Sequence, residues 1–314
     1  MSRQLVALVA VVATALLALV QGAQEEAVFK AGVDLVDVAA TVTDGDGRFI
    51  SGLTKNDFVV YDDGKPQEIL SFSSERVPVS LAMLLDVSGS MSEEQLTTAR
   101  LAISHFVFDL LNKDDELFLM EFAGRGRVLQ PWTHDREKFS RALAETNQDP
   151  LQPIAGSLSI PRPNYGTAVF DAVATSLGYA AKGSNRKKAV LVITDGIDTS
   201  SRRTLKQVQD AIRASEILVY ALGVDPGGAS LFGISGGVDT GSLRKLTDDT
   251  GGRTEVVKGM KNLDKATGRL ADEFNRQYLL GYAAPTRDGR WHDIKIQVRK
   301  KGSKVRARAG YVAS

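Results

Sequence analysis

Two stretches of almost continuous apolar residues constrain the fold of this chain most. Residues 81–85 read LAMLL, and residues 189–194 read AVLVIT with a single polar residue at the end. A strand that is apolar on both faces is typical of the centre of a parallel sheet, where helices cover both sides. We therefore predict two buried, central strands about one hundred residues apart.

Helical patterns separate these strands. The sequence Ser92-Glu93-Glu94-Gln95 has the form of a capping box, and apolar residues recur behind it at helical spacing as far as Leu110. Further strands are predicted at residues 117–122 and 217–224, and further helices at residues 135–146, 167–181, 204–215 and 262–277. This alternation predicts an α/β, doubly wound, mostly parallel sheet of Rossmann-like form over residues 79–277.

The segments on either side of this region have the period-2 pattern of half-buried strands. Val36, Val38, Ala40 and Val42 alternate with other residues near one end, and Ile294, Ile296 and Val298 do so near the other. We predict that residues 26–78 and residues 278–314 supply the two halves of one small accessory β domain, because neither half buries enough surface alone.

The N-terminus has the three-part pattern of a secretory signal peptide. Arg3 supplies a positive charge, residues 5–20 are apolar, and Val20 and Gly22 occupy the small-residue positions before a cleavage point. We expect a signal peptide at residues 1–22 and a protein that is secreted or lies in the periplasm or cell envelope. The alternative is an uncleaved segment that anchors the chain in a membrane.

Composition excludes several kinds of site. The chain has no cysteine, so disulfides, thiolate zinc sites, iron–sulfur clusters and cysteine nucleophiles are excluded. Its three histidines (His105, His134 and His292) are far apart in sequence and form no HExxH motif. The net charge of +1 gives no reason to expect a nucleic-acid partner.

Oxygen-bearing side chains follow the predicted central strands. Asp86, Ser88 and Ser90 come directly after the first strand, and Asp195 follows the second. Thr167 lies at the predicted start of a helix. Ligands bind at the carboxyl ends of strands in sheets of this type, and hydroxyl and carboxylate oxygens favour Mg²⁺ or Mn²⁺. Each of these residues alone is commonly a helix cap or a turn residue, so the prediction depends on all five together.

Asp86-x-Ser88-x-Ser90, Thr167 and Asp195 resemble the metal-ion-dependent adhesion site of von Willebrand factor type A domains, over residues 79–276. The flanking sequences at residues 52–72 and 277–312 resemble a bacterial family related to these domains, best known from acidobacteria. The resemblance implies that Ser88, Ser90 and Thr167 ligate the ion directly, and that the two aspartates act directly or through water. It implies no established activity.

We therefore expect a binding module of the adhesion type, and not an enzyme. The ion would capture an acidic group of a partner, either a protein or another ligand that offers a carboxylate. Two alternatives from other classes are a hydrolase that uses the same ion and a structural scaffold whose metal site is incidental. The sequence identifies no catalytic residue, and it specifies neither the ligand-binding residues nor the oligomeric state.

Overall fold

The computed structural model describes residues 35–146, 166–225, 237–259 and 262–313. The signal peptide predicted for residues 1–22 lies outside these ranges. Among the helices of the described residues, none is both long enough and apolar enough to cross a membrane. The described chain begins with four strands, which are β1 (Leu35–Thr43), β2 (Phe58–Asp62), β3 (Lys65–Gln67) and β4 (Ile69–Ser73).

Strands and helices then alternate, as predicted. The elements in order are β5 (Val79–Asp86), α1 (Glu93–His105), β6 (Glu116–Phe122), β7 (Gly126–Thr133), α2 (Arg136–Ala144), α3 (Val169–Ala180), β8 (Lys187–Thr194), α4 (Leu205–Arg213), β9 (Leu218–Asp225), α5 (Thr240–Thr247), β10 (Thr254–Lys258) and α6 (Leu263–Arg276). A π-helical turn at Phe106–Leu110 continues α1, and it carries the last part of the apolar stripe predicted for that helix.

These strands form a six-stranded sheet in the order β10-β9-β8-β5-β6-β7. All neighbours are parallel except β7, which runs antiparallel to β6 at one edge. The predicted doubly wound, mostly parallel sheet is therefore confirmed. β5 and β8 lie side by side at its centre, and they pair in register from Val79 with Lys187 to Leu85 with Ile193.

Side chains alternate across the sheet and fill one core on each face. Along β5, Leu81, Met83 and Leu85 enter one core while Ala82 and Leu84 enter the other. Helices α1, α2 and α6 cover the first face, and α3, α4 and α5 cover the second. Complete burial of each leucine side chain contributes about 1.5–3 kcal/mol to folding, so packing on both faces stabilises the central strand.

The last four strands are β11 (Tyr278–Ala283), β12 (Trp291–Val298), β13 (Lys304–Arg306) and β14 (Gly310–Val312). They complete two antiparallel sheets with the first four, in the orders β13-β1-β11-β4 and β14-β12-β2-β3. Val38 opposite Leu280 and Val60 opposite Ile296 illustrate the pairing, and apolar residues of both sheets share one core. The predicted accessory β structure built from both ends of the chain is confirmed.

Candidate metal centre

The carboxyl ends of β5 and β8 place a carboxylate and a hydroxyl next to each other. β5 ends at Asp86 and β8 at Thr194, whose Oγ1 donates a 2.5 Å hydrogen bond to Asp86 Oδ2. Asp86 Oδ1 accepts a 2.9 Å hydrogen bond from the backbone N–H of Ser88. Because both oxygens are held in this way, the carboxylate has one fixed orientation at the edge of the sheet.

The loop after β5 is fixed at both ends. Its first residue, Val87, donates its backbone N–H to the carbonyl of Phe122 at the end of β6, at 2.8 Å. At its far end Ser92 caps α1, because its hydroxyl accepts from the N–H of Gln95 and its own N–H donates to the Gln95 side chain. The predicted capping box is confirmed, and it limits the positions that Ser88 and Ser90 can occupy.

Three hydroxyls from two loops meet above these strand ends. Ser88 Oγ lies 2.9 Å from Ser90 Oγ, and Thr167 Oγ1 donates to Ser88 Oγ at 2.8 Å. Ser90 Oγ and Thr167 Oγ1 are 3.3 Å apart, so the three oxygens form a closed triangle. Ser88 and Thr167 are almost completely buried, whereas Ser90 is exposed. The triangle therefore has one open side toward solvent.

Thr167 is held by the loop that follows β8. Its N–H donates to Thr199 Oγ1 at 2.8 Å, and its carbonyl accepts the N–H groups of Thr199 and Ser200 at 2.8 and 3.0 Å. A Cβ atom on the neighbouring Gly166 would lie 2.7 Å from the Cβ of Ser200. The approach of the two loops therefore requires glycine at position 166.

The helix after Thr167 begins later than the sequence pattern predicted. α3 starts at Val169, and its N-cap residue, Ala168, has no side-chain oxygen that could cap the helix. Its free N–H groups are instead satisfied from the loop after β8, where Asp198 accepts from Phe170 N and Ser201 Oγ accepts from Asp171 N, each at 3.0 Å. The threonine is therefore a loop residue whose hydroxyl is free to turn toward the two serines.

Asp195 supplies the second carboxylate. It is 3% exposed, its Oδ1 accepts the N–H of Ile197 at 3.1 Å, and its backbone carbonyl accepts the N–H of Asp239 at 2.9 Å. Gly196 directly after it has a φ of +84°, which turns the chain sharply away from the strand. Asp195 is close enough to Asp86 for the charge of one to act on the other.

Asp86 is a buried carboxylate with a second negative charge near it. Burial raises the pKa of its carboxyl to about 6, the hydrogen bonds from Thr194 and Ser88 oppose this rise, and the negative charge of Asp195 adds to it. Across the described part of the chain, neither aspartate forms an ion pair with lysine, arginine or histidine. Two buried carboxylates beside three hydroxyl oxygens fit a hard divalent cation, which would neutralise them.

The structure brings the predicted residues to one edge of the sheet, with the three hydroxyls in direct contact and Asp86 bonded to the same loop. Sequence reasoning missed the supporting residues Thr194, Thr199 and Asp198. The only local signal among these is Thr194, a single polar residue that ends an otherwise apolar strand. Ligation by the five predicted residues stays a prediction.

A model of the von Willebrand factor type A domain matches residues 80–269, which is more than half of the chain. The chain belongs to the von Willebrand factor type A domain family. The matched region begins at the second residue of β5, continues through β10, and contains all five predicted site residues and the first half of α6. The resemblance of residues 79–276 to a type A domain is thus confirmed, and the domain has its predicted adhesion-site residues at the carboxyl edge of the sheet.

Several solved structures are similar to part of this chain. A conserved hypothetical protein, BatB from Bacteroides thetaiotaomicron, is 23% identical, with 62% of this chain and 96% of that chain covered and a TM-score of 0.47. A von Willebrand factor type A protein from Catenulispora acidiphila is 13% identical, with 91% and 74% covered and a TM-score of 0.49. No curated protein matches the chain.

A third similar structure is proximal thread matrix protein 1 from the mussel byssus, with a zinc-occupied adhesion-site motif. It is 12% identical, with 64% of this chain and 48% of that chain covered and a TM-score of 0.47.

Proposed function

We propose that this protein is a secreted or envelope binding module in which a divalent cation, Mg²⁺ or Mn²⁺, captures a carboxylate of a partner. The cation is held by Asp86, Ser88, Ser90, Thr167 and Asp195. The observation that carries the proposal is the triangle of three hydroxyls beside two buried carboxylates. The apolar stretch at residues 5–20 supports export of the chain.

The charge of the site explains why it would bind a further anion. Two carboxylates balance a divalent ion, but the hydroxyls that complete most of its coordination are neutral and are weaker donors. An ion with such ligands still attracts negative charge, and the open side of the triangle at Ser90 is where an outside carboxylate can reach it. Capture is reversible, because water can replace the partner at that position.

A cleft beside the site supports an acidic partner. It has a volume of about 420 Å³, and Ala168 in its wall directly follows the ligand Thr167. Three arginines contribute to its lining. Arg203 pairs with Asp171 at 3.0 Å, while Arg125 and Arg202 are exposed at the rim. A partner whose acidic residue binds the ion can place a second acidic group against these arginines.

The positions of the histidines favour binding over hydrolysis. A metal-dependent hydrolase needs a general base near the ion. His134 contacts the carbonyl of Asp115, just before the start of β6 and therefore at the opposite edge of the sheet. His105 contacts Thr267 of α6, and His292 lies in β12 of the accessory sheets.

Calorimetric titration with Mg²⁺ and with Mn²⁺ tests the metal site. We expect the wild-type chain to bind one ion, and Asp86→Asn and Ser88→Ala to lose at least tenfold in affinity. Asp210→Asn, which removes an exposed aspartate of α4, is the matched control and should bind like wild type. Equal affinity of Asp86→Asn and Asp210→Asn for both metals would show that the ion does not bind here.

Retention on immobilised poly-L-glutamate tests the capture of carboxylates. We expect retention in Mg²⁺, release by EDTA, and no retention of Asp86→Asn. Retention that survives EDTA and the Asp86→Asn change would mean that the arginines alone bind acidic chains, which would contradict the proposed role of the ion. Turnover of ester, peptide or phosphate substrates that requires both Mg²⁺ and Asp86 would instead establish a hydrolase.

A further inference from the structure

A second group of potential metal ligands lies in the accessory sheets. Asp62 is the last residue of β2, Asp63 follows it in the turn to β3, and His292 lies on β12, which pairs with β2. One ligand atom from each of these residues lies within 4.8 Å of the other two. The cluster therefore joins segments 230 residues apart in sequence.

The histidine nitrogen in this cluster is buried and has no hydrogen-bond partner among the described residues. His292 is 6% exposed, and its Nδ1 neither donates nor accepts in a hydrogen bond. Nevertheless, Nδ1 lies 2.9 Å from Asp63 Oδ2 and 3.4 Å from Asp62 Oδ1. These contacts are ion pairs when the imidazole is protonated. When it is neutral, oxygen and nitrogen lone pairs this close together are typical of ligands that share one metal ion.

One of the two distances from Nδ1 fits a small transition-metal ion. Two ligand atoms bound to one zinc ion at about 2.0–2.2 Å in a tetrahedral arrangement lie about 3.3–3.6 Å apart. The 3.4 Å from Nδ1 to Asp62 Oδ1 falls in this range, and the 2.9 Å to Asp63 Oδ2 is shorter. One imidazole nitrogen and two carboxylate oxygens are a ligand set that zinc accepts, and the half-exposed side chain of Asp63 leaves room for water as a fourth ligand.

The imidazole is oriented by a second carboxylate. His292 Nε2 lies 3.1 Å from Asp288 Oδ1 and 3.2 Å from Thr286 Oγ1. Donation of the Nε2–H to Asp288 leaves a lone pair on Nδ1, which is the tautomer that binds a metal. A carboxylate that fixes the ring of a ligand histidine in this way is a common feature of zinc sites.

Both aspartates are also anchored through the oxygen that faces away from Nδ1. Asp62 Oδ2 accepts from Tyr282 Oη at 2.8 Å and from Tyr311 Oη at 3.0 Å. Asp63 Oδ1 accepts the N–H of Asp293 at 2.9 Å. In each aspartate, this leaves the other oxygen free to face the common centre.

The backbone conformation of Asp63 also favours a positive charge at the centre of the cluster. Its φ is +46°, a left-handed conformation that is uncommon for residues other than glycine. This conformation lets the Asp63 side chain bond Asp293 through one oxygen and face His292 with the other. The turn therefore brings a charged side chain toward another buried carboxylate, which is unfavourable unless a positive charge lies between them.

We propose that Asp62, Asp63 and His292 bind a zinc-class divalent ion that ties the β2–β3 turn to β12. The site is separate from the adhesion-type site, and it does not depend on the function proposed above. Its role is to stabilise the accessory sheets, since an ion that binds only the folded chain shifts the unfolding equilibrium toward the folded state. The opposing possibility is that a proton on His292, shared with the three neighbouring aspartates, supplies the positive charge.

Zinc titration of full-length protein carrying Asp86→Asn tests the proposal, because this background removes a ligand of the other site. We expect one zinc ion to bind, and Asp63→Asn to weaken its binding at least tenfold. Asparagine tolerates the left-handed backbone and keeps the bond to the N–H of Asp293, so this variant should fold. Asp293→Asn is the matched control, because it removes a neighbouring charge while keeping that N–H.

X-ray absorption at the zinc edge supplies a second readout in the same background. We expect an imidazole ligand in the parent chain, its loss in His292→Gln, and a zinc-dependent rise in melting temperature that disappears in both ligand variants. If Asp63→Asn and Asp293→Asn bind zinc within twofold of each other, and the spectrum shows no imidazole, the proposal is wrong and the protonated histidine accounts for the cluster.

Discussion

Thr194 Oγ1 and Asp86 Oδ2 are 2.5 Å apart, and this hydrogen bond joins the last residues of the two central strands. The same hydroxyl oxygen accepts the N–H of Gly196 at 2.9 Å. One buried threonine therefore orients a carboxylate of the site and also the turn that carries the second carboxylate, Asp195.

We expect Thr194→Val to weaken Mg²⁺ binding about tenfold, because outer hydrogen-bond partners of metal ligands typically contribute 10- to 100-fold to affinity. It should also lower the free energy of unfolding by about 1–3 kcal/mol, since a buried carboxylate oxygen loses its donor. Calorimetry and urea unfolding measure the two effects. Thr267→Val, which removes a buried hydroxyl on α6, should leave metal affinity unchanged. A similar loss of Mg²⁺ affinity in both variants would contradict the role assigned to Thr194.

We expect Gly166→Ala to weaken Mg²⁺ binding, because its new methyl group would lie 2.7 Å from the Cβ of Ser200 and would displace Thr167 from the two serines. The control is Gly178→Ala on the exposed side of α3, where no atom lies within 4 Å of the added carbon. That change should instead stabilise the fold by about 1 kcal/mol, since alanine favours a helix. Metal titration of both variants measures the effect on Mg²⁺ binding, and thermal unfolding measures the effect on the stability of the fold.

We expect Asp86→Asn to be more stable than the wild-type chain in the absence of metal at pH 7, by about 1–2 kcal/mol. Burial raises the pKa of Asp86, so the ionised carboxylate is unfavourable in the folded state until a cation binds. Urea unfolding in EDTA measures this difference in stability. In excess Mg²⁺, we expect the same measurement to find the wild-type chain more stable than the variant. A variant that is less stable than wild type in EDTA would contradict this explanation.

Lys187 gives the fold a pH dependence. Burial, and then the nearby charge of Arg76, lower the pKa of its ammonium to about 7, and its Nζ donates to the carbonyl of Phe274 at 2.7 Å. Between pH 7 and the ordinary lysine pKa, the unfolded chain binds more protons than the folded one, so stability increases as pH rises. We expect a gain of about 2 kcal/mol from pH 7 to pH 9, measured by urea unfolding.

Lys187→Met should lose this dependence on pH. Lys188→Met is the matched control, because the adjacent lysine is only partly buried and bonds a surface-loop carbonyl at Asn185. The control should keep the gain in stability between pH 7 and pH 9. If both variants keep it, another group is responsible.

The sequence predicts the central sheet well because its strands and helices have strong and different periodicities. It does not predict β7, whose Gly126 and Pro131 interrupt the pattern and whose side chains are mostly half-exposed at the edge of the sheet. Nor does it predict β10, which has only five residues at the other edge. Edge strands bury less surface, so packing constrains their residues less.

The candidate metal site, too, is predicted from the sequence only in part. Asp86, Ser88 and Ser90 are recognisable because they occupy every second position directly after an apolar run. The caps that Asp198 and Ser201 supply to α3 act between loops about thirty residues apart, and no local spacing predicts them. The cluster at Asp62, Asp63 and His292 requires the pairing of β2 with β12, which depends on tertiary structure alone.

The pairing of β1 with β11 and β13 has a consequence for the order in which the chain folds. β1 is among the first described segments to be synthesised, but both of its partners lie more than two hundred residues later. Until those partners emerge, both edges of an apolar strand remain open to other chains. Correct pairing of β1 is therefore favoured when the nascent chain is held unfolded, as a chaperone does, until β11 and β13 have been synthesised.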